Sequence, residues 1–393
     1  MPICCWRRRP LETGWPRVGN HAALSASSSH RWMNCPPSVR LTEHLADSGS
    51  VYAAEGSEAH ALCEYKLRRA LDLEAQNPLE RPGGLRHYNS AMEDAATGYA
   101  AFVLEKMEEI RRTCPDPLVM VEQRLDFSRW VKDGFGTCDA VIVADGTLRI
   151  VDMKYGTGVA VAAENNSQMR LYALGALEMF GELYDVDTIA MTIYQPRLSN
   201  ISTDTISKTD LLKWAETVLR PVAELAYQGE GELNAGNWCR FCKLRSTCRK
   251  RAEANLALVQ HEFKLPPTLS DEEISIILGK LDDLTGWAAD IREYALSAAL
   301  SGTRFDGWKL VEGRANRRYT DEAAVAQAVI SSGRDPYERR LLGVTAMEKL
   351  LGKKQFATLL ADLVERPQGK PTLVPASDKR PEMTNAKNDF AND

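Results

Sequence analysis

The feature that most constrains this chain is the run from Gly136 to Tyr172. In it Gly136, Asp139, Asp152, Lys154, Gln168 and Tyr172 stand at intervals that a strand hairpin followed by a helix would bring together. Asp139 opens an apolar run over residues 140–144, Asp145-Gly146 is a hairpin turn dipeptide, and residues 148–153 read as the return strand. Asp152 and Lys154 are two apart on that strand, so their side chains share a face. Gln168 and Tyr172 are four apart on the helix that follows and share a face in turn. Two carboxylates on neighbouring strands with an ammonium beside them are suited to holding a divalent cation and a phosphate together.

The outer bounds are ordinary. A chain of 393 residues suffices for one large elaborated domain or two. Hydrophobic content of 44% and charged content of 26% suit a globular protein. No apolar stretch approaches the roughly 18–20 residues of a membrane span, so no membrane association is expected. A formal net charge of −5 argues against attraction of nucleic acid by the whole surface, while leaving room for a local basic groove.

The chain divides into four stretches. Residues 1–20 hold Cys4-Cys5-Trp6 and Arg7-Arg8-Arg9 with no apolar core after them, and read as a disordered leader, not a signal peptide. Residues 21–255 carry the motifs, residues 256–365 read as mainly helical, and residues 366–393, rich in Pro, Lys, Asp and Asn, as a disordered tail. Within the second stretch His30 to Pro37 reads as a fixed turn. Residues 53–70 and 91–112 read as helices, and residues 118–127 as a strand containing Glu122. Residues 165–180 form a helix, 186–194 a strand, and 211–227 an amphipathic helix kinked at Pro221. Residues 271–300 place Ile274, Ile277, Leu278, Leu281, Leu284, Trp287 and Ile291 at helical spacing.

Asp139 and Asp152 offer the hard oxygen ligands that Mg²⁺ selects. A cation there would polarise a phosphoryl oxygen and acidify water, and Lys154 would orient the attacking water or stabilise charge on the phosphorus. His60 on the first long helix is a candidate ligand for Mn²⁺ and, less readily, Mg²⁺; taken alone it reads rather as a helix-surface or satisfied core histidine, a reading that the family resemblance below reverses. Glu122 is either a further metal carboxylate or a solvent-facing strand charge.

A second constellation is made of cysteines. Cys239-Arg240-Phe241-Cys242 and Cys248 form C-x2-C-x5-C, and Cys35, in its proline-bounded turn, is the best fourth ligand. Four thiolates suit Zn²⁺ or an iron–sulfur cluster, and spacing does not decide between them. Cys4, Cys5, Cys63, Cys114 and Cys138 read as ordinary thiols. With no export signal, the expected setting is the cytoplasm, where such thiols stay reduced. Arg240, Lys243, Arg245, Arg249, Lys250 and Arg251 surround the motif and are either phosphate contacts or a solvated face.

Taken together, these residues resemble the RecB/AddB-type nucleases of the PD-(D/E)XK superfamily, most closely the phage- and prophage-encoded branch. The resemblance covers about residues 25–312. It aligns His60 with a helix histidine, Asp139 with the GxxD aspartate, Asp152 and Lys154 with DxK, and Gln168 and Tyr172 with QxxxY. Cys35, Cys239, Cys242 and Cys248 match the cysteines that hold a [4Fe–4S] cluster in AddB-like members, structural Zn²⁺ being the alternative.

The resemblance implies an α/β fold, the restriction-endonuclease-like mixed sheet flanked by helices, with an iron–sulfur staple and a helical C-terminal extension. It implies a Mg²⁺- or Mn²⁺-dependent deoxyribonuclease, of exonuclease type, working in phage recombination, replication or DNA processing. The expected partners are DNA and a phage annealing protein or helicase. No Walker A motif is present, which points to a stand-alone nuclease. The competing reading is a catalytically silent DNA-binding module stapled by zinc or iron–sulfur.

Overall fold

The computed structural model describes residues 22–46, 51–257, 270–311, 320–337, 341–360 and 363–364. The leader and tail expectations, for residues 1–20 and 366–393, fall outside the described residues. The chain forms two units, Met1–Ala295 and Leu296–Asp393.

The first unit opens with two short helices, α1 (Ser29–Asn34) and α2 (Ser38–Thr42), then two long ones, α3 (Val51–Ala70) and α4 (Ser90–Arg111). The expected fixed turn from His30 is therefore largely a helix. Trp32 is fully buried and its indole donates to Ser25 O at 3.0 Å, which anchors this turn and a half. Three strands follow, β1 (Leu118–Asp126), β2 (Phe135–Ala144) and β3 (Gly146–Met153). Helix α5 (Ser167–Phe180) crosses to β4 (Val186–Gln195), and β5 (Asn200–Ser207) returns beside it. The sheet order is β1-β2-β3-β4-β5, antiparallel throughout except for the β3–β4 pair that α5 connects.

Gly146 takes φ +83 at the β2–β3 turn, a conformation glycine adopts without strain. Alternation then divides the sheet's side chains between two cores. Val141, Val143, Leu148 and Ile150 pack with Leu171 and Leu174 of α5. Ala140, Ile142, Val151 and Met153 pack with Leu62 and Leu67 of α3 and Met92, Tyr99 and Val103 of α4. The result is a five-stranded mixed sheet flanked by helices on both faces.

After β5 the chain forms α6 (Lys208–Trp214), a π-helical turn over Ala215–Leu219, and α7 (Arg220–Gln228). The π turn lies just before Pro221, which cannot donate back along an α-helix, so the disturbance expected at this proline takes the form of a wider turn. A 3-10 turn, Asn237–Phe241, leads through the cysteine segment into α8 (Arg249–Leu256). Helix α9 (Asp271–Leu300) follows, and the boundary between the units falls within it. Arg251 of α8, almost fully buried, pairs with Asp283 at 3.2 Å and with Asp290, both on α9. The second unit holds α10 (Glu322–Ser331) and α11 (Val344–Leu360), the latter broken at Gly352 with φ +73. No helix among the described residues is long and apolar enough to cross a membrane.

Candidate active site

Strand register lines up three carboxylates. Val121 faces Ala140 and Gln123 faces Cys138, so Glu122 stands opposite Asp139. The β2–β3 ladder ends at Ala140 and Val151, which leaves Asp139 beside Asp152 where the two strands part. The Asp139 carboxylate closes that gap, its Oδ2 accepting the Met153 backbone N–H at 2.6 Å.

The two helix layers each meet one of the aspartates. From α3, His60 Nδ1 lies 3.0 Å from Asp139 Oδ1. Helix α3 is fastened for this by Glu58, which accepts the His87 backbone N–H at 2.7 Å and pairs with its ring at 3.2 Å. From α5, Gln168 Nε2 donates to Asp152 Oδ1 at 3.0 Å and to the Tyr172 hydroxyl at 3.1 Å. Gln168 Oε1 accepts from Lys154 Nζ at 3.0 Å, and the same ammonium lies 2.9 Å from Asp152 Oδ2. The start of α5 is set by Asn166, whose side chain caps the N–H groups of Gln168 and Met169.

Among the described residues, the ligand atoms of His60, Glu122 and Asp139 form a group all within 4.8 Å of one another. One imidazole nitrogen and two carboxylates are a donor set that fits Mg²⁺ or Mn²⁺. The expected metal residues therefore divide. Three gather, while Asp152 is buried and held by Lys154 and Gln168.

Charge is poised at this cluster. Burial opposes protonation of His60, but the neighbouring Asp139 outweighs it and raises the imidazole to about 9. Burial, reinforced by Asp139, raises Glu122 to about 7. Burial also raises Asp152, against the pull of Lys154. Lys154 itself stays above its ordinary value because Asp152 more than offsets its desolvation.

Several supports were invisible in the motifs. Glu122 takes φ +52 in the middle of β1, a left-handed conformation that a non-glycine residue adopts at a cost. Arg68 of α3 donates to the carbonyl of the preceding Val121 at 3.2 Å, bracing this kink. Gly136 lies under the Tyr172 ring, where a Cβ would sit 2.8 Å from Cε1. The glycine of the GxxD motif thus makes room for the tyrosine of QxxxY.

The four cysteines Cys35, Cys239, Cys242 and Cys248 line one cavity with Arg31, Arg245, Arg249 and Arg251. All four are free thiols. Burial raises Cys239 and Cys242, and each also feels neighbouring sulfurs, Cys242 those of Cys248 and Cys35. No three of these sulfurs come within the 4.8 Å that encloses the His60 group. A tetrahedral zinc site with Zn–S near 2.3 Å would hold its sulfurs roughly 3.8 Å apart.

A profile for a family of proteins of unknown function, DUF2800, matches residues 21–381. The chain belongs to the DUF2800 family. Among solved structures, that of SSO0001 is similar over 56% of this chain and 96% of its own, at 12% identity and a TM-score of 0.22. A likeness of that size carries no weight here, so what this DUF2800 protein does has to be argued from its own side chains.

Proposed function

We propose that this protein is a divalent-metal-dependent deoxyribonuclease of the PD-(D/E)XK type, related to RecB/AddB nucleases and hydrolysing phosphodiester bonds in phage DNA processing. The observation that carries the reading is the adjacency of two halves. One is a His60–Glu122–Asp139 ligand group, and the other an Asp152–Lys154–Gln168–Tyr172 chain of contacts. A bound Mg²⁺ or Mn²⁺ would supply Lewis-acid polarisation of a phosphoryl oxygen and acidify water.

The chain's own groups do the rest. Glu122 and Asp139 provide negative charge from one side and His60 a neutral nitrogen from the other. Lys154 holds its ammonium beside Asp152, where it can orient the attacking water and meet charge growing on the phosphorus. Gln168 fixes both partners of that pair, and Tyr172 fixes Gln168.

The resemblance to AddB-like nucleases favours a [4Fe–4S] cluster in the cysteine cavity, with a structural zinc ion as the alternative. Its four sulfurs are free, and Arg31 and Arg249 in its lining, unlike Arg245 and Arg251, which pair with carboxylates of α9, could offset the charge of a thiolate-bound cluster. Cys35 precedes the sheet and the other three follow it, so the cluster would staple the two arms of the unit. Closing that loop would remove roughly 5 kcal/mol of unfolded-state entropy. The partners of this reading are DNA and, in the cell, an annealing protein or helicase.

The test is incubation of anaerobically purified protein with end-labelled single- and double-stranded DNA in Mg²⁺, Mn²⁺ or EDTA. Release of labelled product with either cation and none in EDTA supports the reading. Binding without cleavage would make the protein a silent DNA-binding module.

A further inference from the structure

We propose that the groove formed by His30, Trp238 and Phe241 is a nucleobase-stacking subsite for a single DNA strand, an inference that rests on the nuclease reading. Phe241 is 80% exposed although it sits between two buried cysteines, Cys239 and Cys242. Trp238 is half-buried, and its indole N–H is satisfied by Asn234 O at 2.9 Å, so the ring's role is not hydrogen bonding outward. The exposed His30 ring stands edge-on to Trp238, with centroids 6.0 Å apart at 87°. A single exposed aromatic needs no explanation. Three aromatic rings around one groove do, with Arg31 in its wall, Arg240 next to Phe241, and Lys243, whose ammonium donates to Leu45 O at 2.7 Å, in the wall as well. Among the described residues that line it there is no carboxylate.

The chemistry matches one occupant. Every base offers a π face to an aromatic ring, and each stacked base brings a phosphate for a neighbouring cation. In a duplex the base faces are already stacked on one another, so an exposed ring selects a single strand. Two contacts tie sequence neighbours of the groove to sequence neighbours of the catalytic residues. Ser29 at the head of α1 hydrogen-bonds Ser167 at 2.7 Å, and Ser167 precedes Gln168. Arg240, whose guanidinium lies 6.0 Å from the Phe241 ring, reaches the loop that follows Lys154; a Cβ on Gly158 would lie 3.6 Å from its Nη2. The cysteine segment gains a second task in this arrangement, since Cys239 and Cys242 hold Arg240 and Phe241 between them.

The experiment is fluorescence anisotropy of labelled oligo(dT) and of a labelled blunt duplex, without Mg²⁺ or Mn²⁺ so that nothing is cut. The proteins are the full chain and its Phe241→Ala, Phe241→Leu and Phe241→Tyr variants. The expected result is about a ten-fold loss of oligo(dT) affinity in the Ala and Leu variants, the size of one lost base stack. The Tyr variant should bind as the native protein does, and duplex affinity should be the same in all four. Phe241 is exposed, so all four should melt alike.

Undiminished oligo(dT) binding in the Ala and Leu variants would overturn the proposal and leave Phe241 as a contact for a protein. Equal losses on oligo(dT) and duplex would overturn it too. The two readings fail separately: stacking-dependent binding with no cleavage in Mg²⁺ removes the nuclease and keeps the subsite. Cleavage with no dependence on Phe241 does the reverse.

Discussion

His60 Nδ1 lies 3.0 Å from Asp139 Oδ1 although the two residues are 79 apart in the chain. A helix layer and a sheet strand are thereby joined through two of the three groups that could hold a metal ion. In the metal-free protein this contact is an ion pair, and a cation must displace its proton.

The pair makes metal binding pH-dependent. His60 is raised from 6.5 to about 9, so its stabilising contribution is complete below about pH 6.5 and is lost as pH rises through 9. Glu122 is raised from 4.5 to about 7, so the folded state loses its advantage as pH rises through 7. Binding needs both groups free of protons, so the rise in Tm on adding Mn²⁺ should grow from pH 6 to pH 9. Differential scanning fluorimetry with and without Mn²⁺ measures it. A Tm rise largest at pH 6 would contradict the ligand assignment.

Glu122→Gly should raise Tm in EDTA while weakening Mn²⁺ binding. Glycine accepts the φ of +52 at Glu122 without strain, and the half-buried carboxylate that resists ionisation is removed. Left-handed strain of this kind is worth about 1–2 kcal/mol. Calorimetry on the metal-free variant checks the stability, and Mn²⁺ titration checks the site. A lower Tm in EDTA would mean that the kink stabilises the fold.

Gly136→Ala should destabilise by about 1–3 kcal/mol, the usual cost of forcing a methyl into a packed site. The added carbon would meet the Tyr172 ring at 2.8 Å and push it off Gln168. Tyr172→Ala in the same background should recover part of the loss. Urea melts of the two variants read this out, and a Gly136→Ala protein as stable as the native one would show that the ring shifts freely.

Much of this was legible in the sequence, and the failures have physical causes. The turn dipeptide and alternating apolar residues located β2 and β3, and their register brought Asp139 beside Asp152 as expected. The gathering of His60 with Asp139 follows from one face of α3 packing on the sheet. Strand β5 went unread because Asn200–Ser207 is an edge strand whose residues alternate between half-buried and exposed positions, with no apolar run. The split between the gathered ligands and Asp152 was not legible, because it depends on where β2 and β3 part. The kink at Glu122 was hidden for a similar reason, since Arg68 and Val121 are brought together only by tertiary packing.

Cys242→Ser should cost the protein its iron and lower its Tm. Protein purified without oxygen should contain about four iron atoms per chain and absorb broadly in the visible, as thiolate-bound clusters do. Elemental analysis decides between the metals. One zinc and no iron would replace the cluster with a structural ion, and no metal at all would leave Cys35, Cys239, Cys242 and Cys248 as plain thiols.

The most direct measurement is the rate at which end-labelled linear DNA is degraded in Mg²⁺ by the native protein and by Asp152→Asn. The substitution keeps the shape of Asp152 and its bond to Gln168 but removes the charge that faces Lys154. The expected result is degradation by the native protein that stops in EDTA. In the variant, assayed below its own Tm because Lys154 loses its partner, it should be slower by on the order of a thousand-fold. Degradation that persists in EDTA, or that Asp152→Asn carries out at the native rate, would contradict the assignment of this cluster to DNA hydrolysis.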